Sequence, residues 1–294
     1  MIVYLNREYI DAAAARISAW DGGFLYGDGI YTTLRLYRGK PVDLGAHFQR
    51  LKSHAAELDL PLPLSEAEFG TIAARLARDN GLTEQDGRLR ITVSRGGSPD
   101  NPLPVTGLEN IAPTVLVTLA PLGSDLERWQ AEGIPVITLD PPFARGNFPA
   151  LKTLNSLATL RALRQAAAAG CPEAILSDPA GCLLEGAVSN LFLVSSDHLL
   201  TPICRGSFLA GRTRERILAI AQREGIEVRE KSLDRRHLEA ACEVFMASSV
   251  REVLPVVSID GSPVGDGLPG KMTRLIQDRY RRDILAAGDR STGT

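Results

Sequence analysis

The chain has 294 residues, a formal net charge of −2 and 44% hydrophobic residues. This length allows one large or two medium domains, and the hydrophobic fraction is ample for a buried core. The small net charge argues against nucleic acid or an anionic membrane as the main partner. No apolar run reaches membrane-spanning length. The four histidines lack the HxxH or HExxH spacing of a metal site, so no metal is predicted.

The cysteines and the N-terminus indicate a compartment. The four cysteines lie far apart, with no CxxC pair. Residues 1–10 alternate like a strand and lack the features of a signal peptide. We therefore predict free thiols and a cytoplasmic protein.

The first part of the chain predicts a small α/β domain over residues 1–121. The predicted elements are strands at 1–6, 9–18, 29–42, 88–97 and 112–122, and helices at 43–60 and 65–80. Asp43 and Ser65 are the expected N-caps of the two helices. The glycine-rich segment 20–29 precedes a strand rather than a helix and lacks the GK[ST] ending of a P-loop. We interpret it as a tight connection that positions Tyr31.

The remainder predicts a second, larger domain. The polar stretch 122–130 is the expected interdomain linker, and the second domain covers 131–294. The predicted helices are 153–169, 212–224 and 271–285; the predicted strands are 134–140, 190–196, 198–203 and 227–233; hairpins are expected at 174–186 and 255–270, and a helix running into a strand at 234–250. The whole pattern is a two-domain α/β chain of the α+β kind.

Two charged residues stand in apolar sequence. Lys152 lies among Phe148, Leu151 and Leu154, and Glu185 stands between two apolar strands. Burial favours a neutral, nucleophilic lysine, and a buried carboxylate needs a cationic or hydrogen-bonding partner. Taken singly, each is also compatible with a solvated surface residue. Together they fit pyridoxal 5'-phosphate, which needs an amine for a Schiff base and a carboxylate beside its pyridine nitrogen.

Three further segments contain candidate phosphate ligands. Arg50 lies on the first predicted helix, the segment Gly211–Thr213 opens a later helix, and Ser248 and Ser249 end a strand. A helix start presents backbone N–H groups and a positive dipole end to an anion. Each segment also has an ordinary interpretation, respectively a surface arginine, a turn and a polar loop.

These segments, in this order, resemble the class IV aminotransferases, the fold-type IV pyridoxal phosphate enzymes. That family includes D-amino-acid transaminase, branched-chain-amino-acid transaminase and aminodeoxychorismate lyase. The motifs that carry the resemblance are GDGIYTTLRLYRGKPVDLGAHFQRL, SRG, LKTLNSLATLRA, GCPEAIL, LEGAVSNLFLV, FLAGRTRERIL and EVFMASSVREVLPVVSIDG. They cover nearly the whole chain. The resemblance implies a homodimer whose subunit has a small N-terminal α/β domain and a larger C-terminal pseudo-barrel domain.

The resemblance also implies a role for each candidate residue. Lys152 would form the Schiff base and shuttle the proton. The implied cofactor-binding residues are Lys152, Glu185, Arg50, Leu209, Arg212, Thr213, Ser248 and Ser249, and the implied substrate residues are Tyr31, Thr32, Thr33 and Arg212. The implied reaction transfers an amino group between a small amino acid, of the D- or branched-chain type, and a 2-keto acid.

Some positions depart from the family patterns. D-amino-acid transaminases of the Bacillus type bind the substrate carboxylate with an Arg and a His, and both are missing from residues 96–104, where Asp100 stands. Thr32 and Thr33 resemble the enteric aminodeoxychorismate lyases. A lyase that releases pyruvate and 4-aminobenzoate is therefore the alternative function, and a non-catalytic binding protein that retains the fold is a remote one. Arg212 replaces a small aliphatic residue, and its side chain either meets a substrate carboxylate or is solvated.

Overall fold

A computed structural model describes residues 1–139 and 148–290 of the chain. These residues form helices and strands in mixed order, and the strands belong to two separate sheets. The mixed arrangement confirms the predicted α+β class. Among the described residues, no helix combines the length and apolar character that a membrane crossing requires.

The chain divides into two compact units. Among the described residues, the first contains 1–122, 151–155 and 287–290, and the second contains 123–139, 148–150 and 156–286. Lys152 therefore belongs to the first unit, whereas the sequence placed it in the C-terminal domain.

The first unit is built on a six-stranded sheet. In chain order its elements are β1 (Ile2–Leu5), β2 (Glu8–Asp11), α1 (Gly22–Tyr26), β3 (Gly29–Tyr37), β4 (Lys40–Pro41), α2 (Leu44–Glu57), α3 (Glu66–Asp79), β5 (Gly87–Ser94) and β6 (Thr114–Pro121). Neighbouring strands are antiparallel, in the order β2-β1-β6-β5-β3-β4. The helices α2 and α3 pack against the sheet and enclose the core of this unit.

Alternation along β3 separates the candidate residues. Ile30, Thr32 and Leu34 are buried, whereas Tyr31 and Thr33 are partly exposed. Because successive side chains of a strand point to opposite faces, Thr32 lies on the face that bears the buried core residues, and Tyr31 and Thr33 lie on the other face.

The second unit is built on a nine-stranded sheet. Its elements are α4 (Leu126–Glu132), β7 (Ile134–Leu139), α5 (Leu157–Ala168), β8 (Ala174–Ser177), β9 (Leu183–Gly186), β10 (Asn190–Ser195), β11 (His198–Pro202), α6 (Arg212–Arg223), β12 (Val228–Lys231), α7 (Arg235–Glu239), β13 (Glu243–Ser248), β14 (Glu252–Ile259) and β15 (Ser262–Pro263). The last helix, α8, runs over Lys271–Arg290. The strand order is β12-β11-β10-β13-β14-β7-β8-β9, and β15 pairs with β14.

The helix caps and strand ends show where local sequence decides the structure. Ser65 forms the expected capping box with Glu68, in which each side chain bonds the other residue's backbone N–H. Asp43 differs from a conventional N-cap because its backbone is left-handed, with a φ of 58°. The strand expected at 9–18 ends at Asp11, whose side chain and carbonyl turn the chain by accepting from the next backbone N–H groups.

The glycine-rich segment 20–29 contains the short helix α1, which the sequence did not predict. The Asp21 carboxylate caps this helix by accepting from two backbone N–H groups of its first turn. The hydroxyls of Ser94 and Thr114 also donate to Asp21, at 2.8 and 2.7 Å. The cap thus depends on residues that are distant in sequence, which explains why no local pattern predicted the helix.

The segment around Lys152 is extended rather than helical. The helix predicted at 153–169 begins only at Leu157. Before it, the Tyr31 N–H donates to the Lys152 carbonyl and the Leu154 N–H donates to the Gly29 carbonyl, each at 2.9 Å. The neighbour β4 pairs only with the far end of β3. The first residues of β3 therefore have an open edge, and the Lys152 segment pairs with it.

The stretch predicted as a linker carries an ordered helix, α4. Gln130 on this helix is buried, and its side-chain amide donates to the Arg251 carbonyl at 2.9 Å and to the Glu252 carboxylate at 3.1 Å. Arg281 of α8 donates to the Gln130 amide oxygen at 2.8 Å. These bonds attach α4 to the second unit.

Candidate active site

On the first unit, two cationic groups lie over the ring of Tyr31. The Lys152 Nζ lies 4.7 Å from the ring centroid, and the Arg90 guanidinium lies 3.6 Å from it. Arg90 reaches this position because it lies on the adjacent strand β5, where its partner is Thr33, two residues along β3 from Tyr31. Burial of Arg90 lowers the pKa of its guanidinium, and the hydroxyl of Tyr31 acts in the opposite direction. An amine and a guanidinium thus share one aromatic side chain, an arrangement in which cation–π attraction contributes.

Arg50 is bound to Thr32 on the opposite face of β3. The Arg50 Nη2 donates to the Thr32 hydroxyl oxygen at 3.0 Å. That hydroxyl lies 2.7 Å from Nδ1 of His47, and both Thr32 and His47 are buried. A hydroxyl that accepts from Arg50 has its own proton to donate to an unprotonated His47 Nδ1. The structure therefore places Thr32 with the candidate phosphate arginine, apart from Tyr31 and Thr33, with which the resemblance grouped it.

A second histidine of α2 contacts Lys152. His54 is only 9% exposed, and its Nδ1 accepts from the Lys152 backbone N–H at 3.2 Å. Burial, together with the positive charges of Arg50 and Lys152, lowers the pKa of His54 to about 4. The ring is therefore neutral at neutral pH and able to accept through Nδ1.

On the second unit, one asparagine connects several candidate residues. Glu185 is 3% exposed at the end of β9. The Asn190 side-chain N–H₂ lies 3.5 Å from the Glu185 carboxylate and donates to the Leu209 carbonyl at 2.9 Å. The Asn190 amide oxygen accepts from the Gly211 N–H at 3.1 Å. A single amide side chain therefore fixes the carboxylate, the Leu209 backbone and the residue that precedes α6.

The candidate phosphate ligands of this unit meet at the same place. Asn190 begins β10 and is paired with Ala247 of β13, so Ser248 and Ser249 follow directly beside it. The start of α6 is joined to Asn190 through Gly211. The first N–H groups of a helix have no acceptor within the helix, and they point toward an anion together with the positive dipole end.

Gly211 has no room for a side chain. A Cβ at this position would lie 2.1 Å from the Asn190 amide oxygen. Its φ of −76° is ordinary, so the constraint is the close approach of Asn190 rather than backbone strain. The glycine before α6 is therefore required by the hydrogen bond that holds the helix start.

Arg212 and Thr213 contribute different groups to this helix start. The Arg212 side chain forms an ion pair with Glu215 one turn along the helix. This pairing favours the interpretation in which the backbone of Arg212, rather than its guanidinium, serves the site. Thr213 is 3% exposed, and its hydroxyl lies 3.4 Å from the Tyr280 hydroxyl of α8.

Sequence reasoning missed three residues of these clusters: Arg90, His54 and Asn190. His54 follows Arg50 by one helical turn, so helical periodicity contained a signal for it. Asn190 opens an apolar strand directly after the Glu185 segment, which is a weaker signal. Arg90 was recognisable only from the pairing of β3 with β5, because its position beside Tyr31 depends on strand register.

Residues 29–259 match the family model described as amino-transferase class IV. The chain belongs to the class IV aminotransferases. The matched range contains every candidate residue discussed above, from Tyr31 to Ser249.

Individual relatives match over nearly the full length. The chain is 33% identical to a putative branched-chain-amino-acid aminotransferase of Methanocaldococcus jannaschii, over 96% of each chain. It is 32% identical to the D-alanine aminotransferase of Bacillus licheniformis, over 97% of this chain and 98% of the relative. The branched-chain amino acid aminotransferase of Escherichia coli has a similar structure, with a TM-score of 0.86, 30% identity, and coverage of 96% of this chain and 94% of that one.

The comparisons also confirm the predicted cofactor and the enzyme class. A T.th. branched-chain amino acid aminotransferase, solved with pyridoxamine 5'-phosphate, has a TM-score of 0.84 and 27% identity, and the match covers 97% of this chain and 94% of that one. The protein is a pyridoxal-phosphate-dependent aminotransferase. These relatives carry transaminase names, so they favour transamination over the lyase alternative, and membership of an enzyme family counts against a non-catalytic binding protein.

The residues around Asn190 fit this cofactor. Glu185 is a buried carboxylate of the kind that stabilises a protonated pyridine nitrogen. The start of α6 and the adjacent Ser248 and Ser249 provide N–H and hydroxyl donors suited to a phosphate. Gly211, where a Cβ would clash with Asn190, leaves the backbone before the helix without a side chain.

We expect Asn190→Ala to weaken pyridoxal phosphate binding. Loss of hydrogen bonds to the Leu209 carbonyl and the Gly211 N–H, each of about 1 kcal/mol, corresponds to a roughly tenfold to thirtyfold higher dissociation constant. Equilibrium titration of the apoprotein, followed by absorbance, measures this change. The exposed Asn110→Ala is the matched control and should leave the constant unchanged.

A double-mutant cycle tests the close approach between Gly211 and the Asn190 side chain. Gly211→Ala introduces the clash with the Asn190 amide oxygen. It should therefore weaken binding strongly in the wild type and much less in the Asn190→Ala background. Equal effects in both backgrounds would show that this close approach does not control the helix start.

Proposed function

We propose that this enzyme transfers an amino group between a small amino acid, of the D- or branched-chain type, and a 2-keto acid, with Lys152 as its catalytic residue. The supporting observation is the cluster on the first unit, where the Lys152 amine and the Arg90 guanidinium lie 4.7 and 3.6 Å from the same Tyr31 ring. The amine suits amino-group transfer, and the guanidinium suits the carboxylate that every amino acid and 2-keto acid carries.

Each candidate residue has a defined task in this proposal. When bound, pyridoxal phosphate supplies the aldehyde that takes up the amino group and the ring that accepts electrons from the substrate Cα. Lys152 would hold the aldehyde carbon between turnovers and would then move the proton at the substrate Cα. Glu185 would keep the pyridine nitrogen protonated, and Leu209 would contact the face of the ring.

The phosphate ligands in the proposal come from three elements. Arg50 of α2 supplies charge, the backbone N–H groups of Arg212 and Thr213 supply the helix start, and the hydroxyls of Ser248 and Ser249 complete the set. Thr32 contributes indirectly, because its hydroxyl accepts a hydrogen bond from Arg50 and orients the guanidinium.

We expect Lys152→Ala to reduce turnover by at least ~10³-fold, because both covalent attachment and proton transfer depend on the amine. The variant should still bind pyridoxal phosphate without forming the lysine-bound absorbance band. Borohydride treatment of the wild type should label the peptide that contains Lys152. Lys40→Ala, at an exposed lysine, is the control. Full activity of Lys152→Ala, or a label on another lysine, would remove Lys152 from this role.

Arg90 is the proposed substrate-carboxylate ligand. Arg90→Gln should raise KM for amino acid and keto acid by roughly tenfold to hundredfold, the range expected for a lost charged hydrogen bond, with a smaller change in kcat. Arg88→Gln is the matched control, because Arg88 lies on the same face of β5, two residues farther from the partner of Tyr31. Equal effects of the two substitutions would contradict a specific contact.

Half-reaction assays distinguish the possible substrate types. Half-reactions with D-alanine, L-leucine and L-glutamate should give a fast spectral change with one of these substrates, whereas aminodeoxychorismate should release little pyruvate. Asp100 is exposed in the segment where D-amino-acid transaminases of the Bacillus type carry a cationic trap. If pyruvate release exceeded every half-reaction, transamination would not be the main activity.

We further propose that the enzyme is a homodimer and acts in the cytoplasm. The first unit exposes an apolar patch that consists of Trp20, Phe24, Leu25, Tyr26, Leu103 and Val105. Phe24 and Val105 are 76% and 72% exposed, and the Tyr26 hydroxyl donates to the Pro102 carbonyl, which joins the two parts of the patch. A group of large exposed apolar side chains of this kind is typical of an interface. The four free cysteines support a reducing compartment, which cell fractionation tests.

Phe24→Asp should therefore shift the protein toward the monomer in sedimentation equilibrium, because it places a charge in the apolar patch. Leu268→Asp is the control, since Leu268 is similarly exposed but lies outside the patch. A wild type that is monomeric at micromolar concentration, or a Phe24→Asp variant that remains as dimeric as the control, would contradict this interface.

A further inference from the structure

The backbone of Lys152 is bound on both sides. Its carbonyl accepts from the Tyr31 N–H at 2.9 Å, and its N–H donates to Nδ1 of His54 at 3.2 Å. The first bond is part of the strand pairing with β3. The second is formed by a side chain on the last turn of α2. The peptide that carries the reactive amine is thus located by two different elements of the first unit.

The surroundings of His54 suit its ring to accept this hydrogen bond. Its ring is buried, and the charges near it are the two cations Arg50 and Lys152. Burial and these charges keep the pKa of His54 at about 4, so the ring stays neutral and its Nδ1 lone pair stays available. A buried imidazole carries a desolvation cost that a leucine of similar volume avoids. The bond to Lys152 offsets this cost, and a simple core role gives no reason for a polar ring here.

The helix α2 carries Arg50 and His54 one turn apart. Residues at this spacing lie on the same face of a helix. The backbone positions from which Arg50 and His54 extend therefore keep a fixed separation as long as the helix is intact. This makes α2 a rigid connection between the candidate phosphate ligand and the candidate reactive lysine.

We propose that His54 is a positioning residue, which fixes the Lys152 peptide relative to Arg50 by accepting the Lys152 backbone N–H. This inference rests on the proposed role of Lys152. It adds that the rate at which the lysine captures the cofactor aldehyde depends on a neutral acceptor at position 54. His54 itself does not touch the substrate or the cofactor in this proposal.

Two substitutions separate the hydrogen bond from the packing. His54→Leu fills a similar volume without an acceptor, and His54→Asn replaces Nδ1 by a side-chain oxygen that is able to accept the same bond. Ser53→Ala, at the neighbouring exposed position of α2, is the matched control. Circular dichroism verifies that each variant is folded.

The first measurement is the appearance of the lysine-bound absorbance band after pyridoxal phosphate is added to the apoprotein. His54→Leu should slow it roughly threefold to tenfold, as expected for the loss of one hydrogen bond of ordinary strength. His54→Asn should restore most of the rate. Unchanged kinetics in His54→Leu, or equal slowing in both variants, would overturn the proposal in favour of ring packing.

The second measurement needs no cofactor. Hydrogen exchange of the Lys152 amide in the apoprotein should be faster in His54→Leu than in the wild type and in Ser53→Ala. Nitrogen-15 NMR of the wild type at pH 7 should show a neutral ring protonated on Nε2, and this holds as a test even if His54→Leu does not fold. A ring protonated on Nδ1 would overturn the inference. A borohydride label on a lysine other than Lys152 would instead overturn the proposed function, while the exchange result would still report on the His54 bond.

Discussion

The pairing of the Lys152 segment with the open edge of β3 is the constraint on which the first cluster depends. Because β4 pairs only with the distant end of β3, the backbone groups of Gly29 and Tyr31 remain available for a second partner. The residues before α5 use them and become extended. One strand then fixes both the tyrosine ring, through its own side chain, and the lysine, through backbone hydrogen bonds. The distance of 4.7 Å between the Lys152 amine and the Tyr31 ring is a consequence of this register.

Successive side chains of β3 point to opposite faces and so contact two different groups of residues. Its outer face presents Tyr31 beside Arg90, the proposed ligand of the substrate carboxylate. Its inner face presents Thr32, whose hydroxyl lies between Arg50 and His47. The cationic side chains of Arg50, Arg90 and Lys152 are thereby distributed around β3 and do not all lie on one surface. The neutral state of His54, which Arg50 and Lys152 help to maintain, avoids adding a further charge to this region.

Sequence alone indicated the cofactor and the candidate reactive residues more clearly than the residues that position them. Lys152, Glu185 and the start of α6 were recognisable because they stand in distinctive local sequence, and family order strengthened them. The α+β class and the capping box at Ser65 also followed from local patterns. The helix predicted at 153–169 was too long, since hydrogen bonds with a strand more than a hundred residues away override helical spacing. The cap of α1 likewise depends on Ser94 and Thr114, which no local window contains.

The residues that sequence missed share a physical property: each acts through hydrogen bonds or register rather than through its own reactivity. Asn190 is the clearest case. Its amide has one acceptor and two donor hydrogens, and in this structure they reach Gly211, Leu209 and Glu185. An aspartate would lose the donors, and an alanine would lose every contact, so only an amide of this length meets all of these requirements. The glycine at 211 follows from it, because the space beside that amide oxygen excludes a Cβ. Reactive residues of an enzyme are visible in sequence because their chemistry is unusual, whereas the residues that set their geometry become visible only when their partners are known.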